Sequence, residues 1–227
     1  LLQEHPGPLD AAAFRAVYLD GSTATVQQVI CDPAFNPPCK AKVTNPKRSN
    51  GVMEGSAVRL GEPDDEIILA EGPGTGASIH QALGRAVWLV LGTFNFTRVE
   101  LPDRVKRVVI AVDVEESGAG LAAAVAAAGF WQSRGKRVAL MIPDLIEGDF
   151  NDVLQEPDGE DAIRAAYAAA IEAERAPHTD AWLLVRSPWD ALAAWRSTGL
   201  KVKATVKPFS PYRHLDDADI RRAIVVG

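Results

Sequence analysis

A chain of 227 residues, 47% hydrophobic and 24% charged, is long enough to bury a sizeable core as one large domain or two small ones. Its formal net charge of −6 excludes a uniformly cationic surface, although nucleic-acid binding requires only a local basic face. Two cysteines, Cys31 and Cys39, and four scattered histidines exclude a four-cysteine zinc site and match none of the usual Cys/His spacings, so both cysteines are read as free thiols. No apolar run approaches the ~18 residues of a membrane span, and no basic stretch followed by an apolar one opens the chain, so a cytoplasmic location is the default expectation. The opening LLQEHPGPLD lacks an initiator Met, as a piece excised from a longer chain would.

Residues 13–31, AFRAVYLDGSTATVQQVIC, alternate apolar and polar positions on either side of Asp20-Gly21, a signal for a β-hairpin turn. A small β-rich unit over residues 1–62 is expected. Its second part, DPAFNPPCKAKVTNPKRSNG, is dense in Pro and Asn and reads as a long loop or irregular extension. Lys40, Lys42, Lys47 and Arg48 lie within it, either as contacts to nucleic-acid phosphates or as charges on a solvated loop.

From Glu66 the period changes. EIILAEG is a short apolar run suited to a buried strand, and GASIHQALGR has helical spacing with Ile79, Ala82 and Leu83 on one face. AVWLVLG (86–92), VKRVVIAVDVE (105–115) and KRVALMIPD (136–144) read as further strands, and residues 118–135 and 160–176 as helices. Strands that are apolar on both faces and alternate with helices imply an α/β fold with a parallel sheet covered on both sides, over residues 63–176. Beyond Pro177 the pattern resets to a β-α-β extension over 177–227, with Trp182, Trp189 and Trp195 in periodic apolar segments that suit a core.

The glycine-rich turn ILAEGPGTGAS invites comparison with a phosphate-binding loop, G-x-x-x-x-G-K-[ST]. Aligning the second glycine with Gly76 puts Glu71 where the first glycine belongs and Ala77 where the lysine belongs. A carboxylate inside the cradle repels a triphosphate, and without the lysine the main charge compensation is gone. The glycines are better suited to a tight strand-to-helix turn that exposes Glu71 at the strand's carboxyl end.

A glutamate ending a buried strand must be solvated, paired or bound to a cation. On the next acidic strand Asp113 and Glu115 are two apart and share a face, while Val114 packs opposite. Open α/β folds bind ligands at the carboxyl edge of the sheet, so Glu71, Asp113 and Glu115 either converge there around a hard cation such as Mg²⁺ or Mn²⁺ or remain separate polar strand ends. In EGDFNDVLQE, Asp149 and Asp152 either cap the following helix or face the same edge and hold a second cation. His80, one turn into the first helix, is read as a helix-surface residue.

In their order and spacing, LAEGPGTGAS, LGTFNFTRVELP and DVEESGAG, followed by DFNDVL, resemble the Toprim domain of primases, topoisomerases and related nucleases. The likeness is greatest to the Toprim regions of phage and plasmid primase-like proteins, whose corresponding segments resemble VAEGIETALS, GTSNLARLELP and D.DEAGR. It covers roughly residues 50–156, with GSAVRLG similar to the family's lead-in. The resemblance implies that Glu71 is a general acid or base or a metal ligand, and that Asp113 and the acid two residues on bind Mg²⁺. This sequence departs from the pattern twice: Glu115 stands where the family has a second aspartate, and Gly74 where it has a local acid.

Three functions follow from these readings. A primase-like nucleotidyltransferase joins ribonucleotides on single-stranded DNA with Mg²⁺ or Mn²⁺. A metal-dependent nuclease uses the same carboxylates without nucleotides. A catalytically degenerate module contacts DNA or a replication partner through Lys40, Lys42, Lys47 and Arg48, together with Lys201, Lys203 and Lys207, and shows salt-dependent binding without turnover. For priming, a zinc-binding unit and a helicase are expected elsewhere in a longer polypeptide or on a partner.

Overall fold

A computed structural model of the chain describes residues 9–34, 39–115, 117–145 and 148–175. The expected extension over 177–227, with its tryptophans and lysines, lies outside the described residues. The hairpin is present: β1 (Asp10–Val17) and β2 (Thr23–Asp32) pair antiparallel. Between them Asp20 Oδ1 accepts from the Ser22 backbone N–H at 2.9 Å and from the Ser22 hydroxyl at 2.7 Å, which closes the turn.

The stretch expected as a loop is partly sheet. β3 (Cys39–Lys40) pairs with the end of β2, and β4 (Lys47–Gly51) pairs antiparallel with Thr25–Val29, completing a four-stranded sheet. The physical reason is the open edge of β2, whose unpaired amides and carbonyls are satisfied by any segment brought back alongside it. Pro and Asn shape the turns on the way, and the pairing itself is between residues about twenty apart in sequence.

A second sheet follows the α/β expectation. Its strands are β5 (Val58–Leu60), β6 (Glu66–Ala70), β7 (Val87–Leu89), β8 (Arg107–Ala111) and β9 (Arg137–Met141), in the order β5-β7-β6-β8-β9. β6 to β9 run parallel, and β5 joins antiparallel at the β7 edge. The helices are α1 (Pro73–Leu83), α2 (Ala119–Ser133), a short α3 (Phe150–Leu154) and α4 (Gly159–Arg175). α1 starts at Pro73, whose fixed φ suits the first helical position, and ends at Gly84 in the left-handed region (φ 62°).

The alternation of side chains on the sheet builds two cores. Ile67, Leu69, Trp88, Val108 and Ile110 pack with α2 residues including Leu121, Ala124 and Trp131, while Ile68, Ala70, Leu89, Val109 and Met141 pack with α1, α3 and α4. Gly76 is required where α1 crosses β7, because a Cβ there stands 1.8 Å from Leu89 Cδ2. At the amino end of β6, Glu66 meets Arg85 (3.1 Å), Arg107 (2.9 Å) and the Tyr167 hydroxyl (2.7 Å), which gives the half-buried carboxylate its partners.

Buried Asn95, in the 3₁₀ turn Thr93–Thr97, fastens the segment leading into the second sheet. Its amide donates to the carbonyls of Met53 (2.9 Å), Ser56 (2.8 Å) and Val90 (2.8 Å), and its Oδ1 accepts from the Gly55 N–H (2.8 Å). Together with the Val17–Ala57 bridge, this anchors the antiparallel sheet beside the parallel one.

Candidate active site at the carboxyl edge

β6 pairs with β7 on one side and β8 on the other, and the chain passes from β7 across β6 to reach β8. This reversal of strand order falls between β6 and β8, whose carboxyl ends are the position at which open α/β sheets bind ligands. Glu71 follows β6 directly, and Asp113 lies two residues past β8.

The strand expected to run to Glu115 ends at Ala111, but extended backbone persists beyond it: the Val112 N–H bonds the Met141 carbonyl at 2.9 Å, and Val114 bridges Gly148. Val112 and Val114 are therefore buried while Asp113 is half-buried and Glu115 exposed, as the alternation anticipates. Gly120 lets α2 start close by, since a Cβ there stands 2.3 Å from the Asp113 carbonyl oxygen.

Asp149 and Asp152 form a reciprocal cap on α3. Asp149 Oδ1 accepts from the backbone N–H groups of Asn151 (2.6 Å) and Asp152 (3.3 Å), and Asp152 Oδ2 accepts from the Asp149 N–H (3.0 Å). The second oxygen of Asp149 points to the edge. The Thr75 hydroxyl, from the first turn of α1, lies within hydrogen-bond distance of both Asp113 Oδ1 (3.2 Å) and Asp149 Oδ2 (3.1 Å) and donates to one of them at a time. Asp149 thus caps a helix and faces the acidic edge, while Asp152 is turned back onto the cap.

The electrostatics follow from this crowding. Burial raises the Asp113 pKa from its ordinary 3.8 to about 7, reinforced by Asp149 and Glu71 and opposed by the Thr75 hydrogen bond, with a smaller raising contribution from Glu115. Glu71 is also raised, by burial first; Lys47 opposes the rise, and Glu115 and Asp149 add to it. Glu115 is at the rim and receives the Ser117 hydroxyl at 3.0 Å.

Lys47 comes from the other sheet. Its Nζ is 3.8 Å from the place a Cβ on Gly72 would take, an ordinary contact distance that puts the ammonium beside the residue following Glu71. Residues directly opposite across a pair share a face, so Lys47, opposite Val29, and Lys40, opposite Cys31, lie on one face of the antiparallel sheet. Arg48, opposite Gln28, is on the other face, and Lys42 is exposed in the turn after β3. The four cations expected as one group are divided by strand alternation.

Sequence reasoning missed Thr75. A hydroxyl in a glycine-rich turn carries no signal of its own, and only the fold brings it between two acids that lie 38 and 74 residues away in sequence. His80 behaves as a helix residue, its Nδ1 paired with the Arg85 carbonyl at 2.7 Å. Among the described residues, no group of three or more His, Cys, Asp or Glu side chains is already arranged to hold a metal ion. The donor set nevertheless suits a hard divalent cation: every donor is oxygen, two carboxylates meet through one hydroxyl, and Mg²⁺ is commonly held by one or two carboxylates with water and substrate oxygens supplying the rest.

No curated protein sequence matches the chain. Among solved structures, it is similar to the Aquifex aeolicus primase comprising zinc-binding and RNA polymerase domains, with a TM-score of 0.50 and 17% identity over 70% of this chain and 40% of that one. A second, a DnaG primase catalytic domain bound to ssDNA, gives a TM-score of 0.49 and 15% identity over 85% of this chain and 64% of that one. The chain therefore spans less than two thirds of either. The first likeness shows a shared fold. Residues 66–161 match the family model described as the Toprim domain, and this segment contains Glu71, Asp113, Glu115, Asp149 and Asp152. Residues 66–161 are accordingly similar to a Toprim domain, in a fold similar to that of a primase.

Proposed function

We propose that this chain is the phosphoryl-transfer part of a primase-like protein that joins ribonucleotides on single-stranded DNA with Mg²⁺ or Mn²⁺. The observation that carries the proposal is the convergence of Glu71, Asp113 and Asp149 at the carboxyl edge of the parallel sheet, with Lys47 approaching from the antiparallel one. Asp113 and Asp149 would hold the cation, with Glu115 at the rim and Asp152 fixing Asp149 from behind. When bound, the ion neutralises charge on the attacking and leaving oxygens of an in-line displacement.

The remaining chemistry falls to the chain's own groups. Glu71, whose pKa burial raises, accepts the proton of the attacking 3′-hydroxyl at its carboxylate. Lys47 offsets phosphate charge beside it, and Lys40 extends the same cationic face along the approaching strand. Lys42 and Arg48 add contacts to the phosphate backbone away from this edge.

The test is incorporation of labelled ribonucleotides on single-stranded DNA with Mn²⁺, with Glu71→Gln and Asp113→Asn as controls. Template-dependent products lost in both variants support the proposal. DNA cleavage without nucleotides identifies a nuclease instead, and salt-dependent binding without turnover identifies a binding module.

A further inference from the structure

We propose that Thr75 is a positioning residue for the cation site: its hydroxyl sets the separation of Asp113 and Asp149, so that one divalent ion engages both. The inference rests on the cation-holding reading of this edge and adds to it a residue that is not itself acidic. Thr75 is 2% exposed, and its Oγ1 is 3.2 Å from Asp113 Oδ1 and 3.1 Å from Asp149 Oδ2.

The use made of this hydroxyl is tertiary. Three residues on, the Ser78 hydroxyl does what hydroxyls inside helices usually do and donates to the carbonyl four residues back, that of Gly74, at 3.0 Å. Thr75 instead reaches across to a loop after β8 and to the cap of α3. Asp149 is already held through Oδ1 by two backbone N–H groups, so its free oxygen has a fixed direction. Thr75 therefore ties Asp113 to a carboxylate that cannot swing away.

A hydroxyl has one proton and serves one carboxylate at a time. With both acids ionised, the second oxygen faces the Thr75 lone pairs and the neighbouring charge without compensation, an arrangement that a cation in contact with both acids relieves. A hydroxyl placed only for packing would be equally served by the isosteric valine. The departure at Gly74 fits the same picture. The position has no side chain, so the family's local acid is absent and the arrangement of the remaining two matters more.

The experiment titrates Mn²⁺ by calorimetry, with the electron paramagnetic resonance of free Mn²⁺ as a second readout, into the parent chain and its Thr75→Val and Thr75→Ser variants. Melting curves in chelator verify folding. Thr75→Ser keeps the hydroxyl and is expected to bind within about threefold of the parent, whereas Thr75→Val binds about 10- to 100-fold more weakly, the usual effect of removing a group that orients metal ligands. If Thr75→Val does not fold, Thr75→Ala carries the same expectation. Equal affinity in the parent and the hydroxyl-free variant overturns this inference alone, and so does failure of serine to restore binding. Absence of binding in the parent overturns the cation-holding reading and the inference with it.

Discussion

Replacing Asp113 with asparagine is expected to stabilise the metal-free protein at alkaline pH. In the folded chain, burial and the neighbouring Asp149 and Glu71 raise the Asp113 pKa from 3.8 to about 7. An acid with a raised folded pKa contributes stability that is fully present below its unfolded pKa and is lost as pH rises through the folded one. The loss therefore falls between about pH 4 and pH 7. At about 1.4 kcal/mol per pKa unit the full shift corresponds to about 4 kcal/mol. The titration is shared with Asp149 and Glu71, so about 2 kcal/mol is a fair expectation for Asp113 alone, or about 4–8 °C in melting temperature for a chain of this size. The assay is thermal unfolding followed by circular dichroism in chelator at pH 4 and pH 8. The parent should lose this increment between the two pH values, and Asp113→Asn should lose much less. Parallel pH dependence in the two proteins refutes the claim that the acids are crowded enough to need a cation.

Four further outcomes follow. Gly76→Ala places a Cβ 1.8 Å from Leu89 Cδ2, and chemical denaturation should show a loss of about 1–3 kcal/mol from overpacking. Asn95→Leu leaves the Gly55 N–H and the Ser56 and Val90 carbonyls without their side-chain partner, and should lower stability by about 2–4 kcal/mol in the same measurement. Lys47→Ala should weaken binding of fluorescent single-stranded DNA in the presence of Mn²⁺ more than Arg48→Ala does, because only Lys47 faces the acidic edge; equal effects in fluorescence anisotropy would contradict the assigned faces. Tyr167→Phe removes the hydroxyl that Glu66 receives at 2.7 Å and should cost about 1–2 kcal/mol in a melting experiment without altering Mn²⁺ affinity, since β6 carries Glu66 at its other end.

Much of the parallel sheet was legible because its signals are local. Short apolar runs such as residues 67–70 and 108–111 are buried on both faces, and each is separated from the next by a helix or a turn with recognisable ends. Glu71 and Asp113 were legible for the same reason: charge at the end of a buried strand is conspicuous. What escaped depends on pairing at a distance. The sequence of β4 has little strand character, and it becomes sheet because Lys47–Gly51 returns to the edge of β2. That return splits Lys47 from Arg48 and carries Lys47 toward Glu71, which no count of cations in a loop could reveal. The alternatives weighed for Asp149, cap or edge, were not exclusive, because its two oxygens serve the two purposes separately.

The most direct measurement is calorimetric titration of Mn²⁺ into the parent chain beside a folded Asp113→Asn variant. A saturable site in the parent that is lost in the variant is the result this account predicts. No binding in the parent, or the same binding in both, contradicts the claim that the carboxyl edge of this Toprim-like sheet holds a cation.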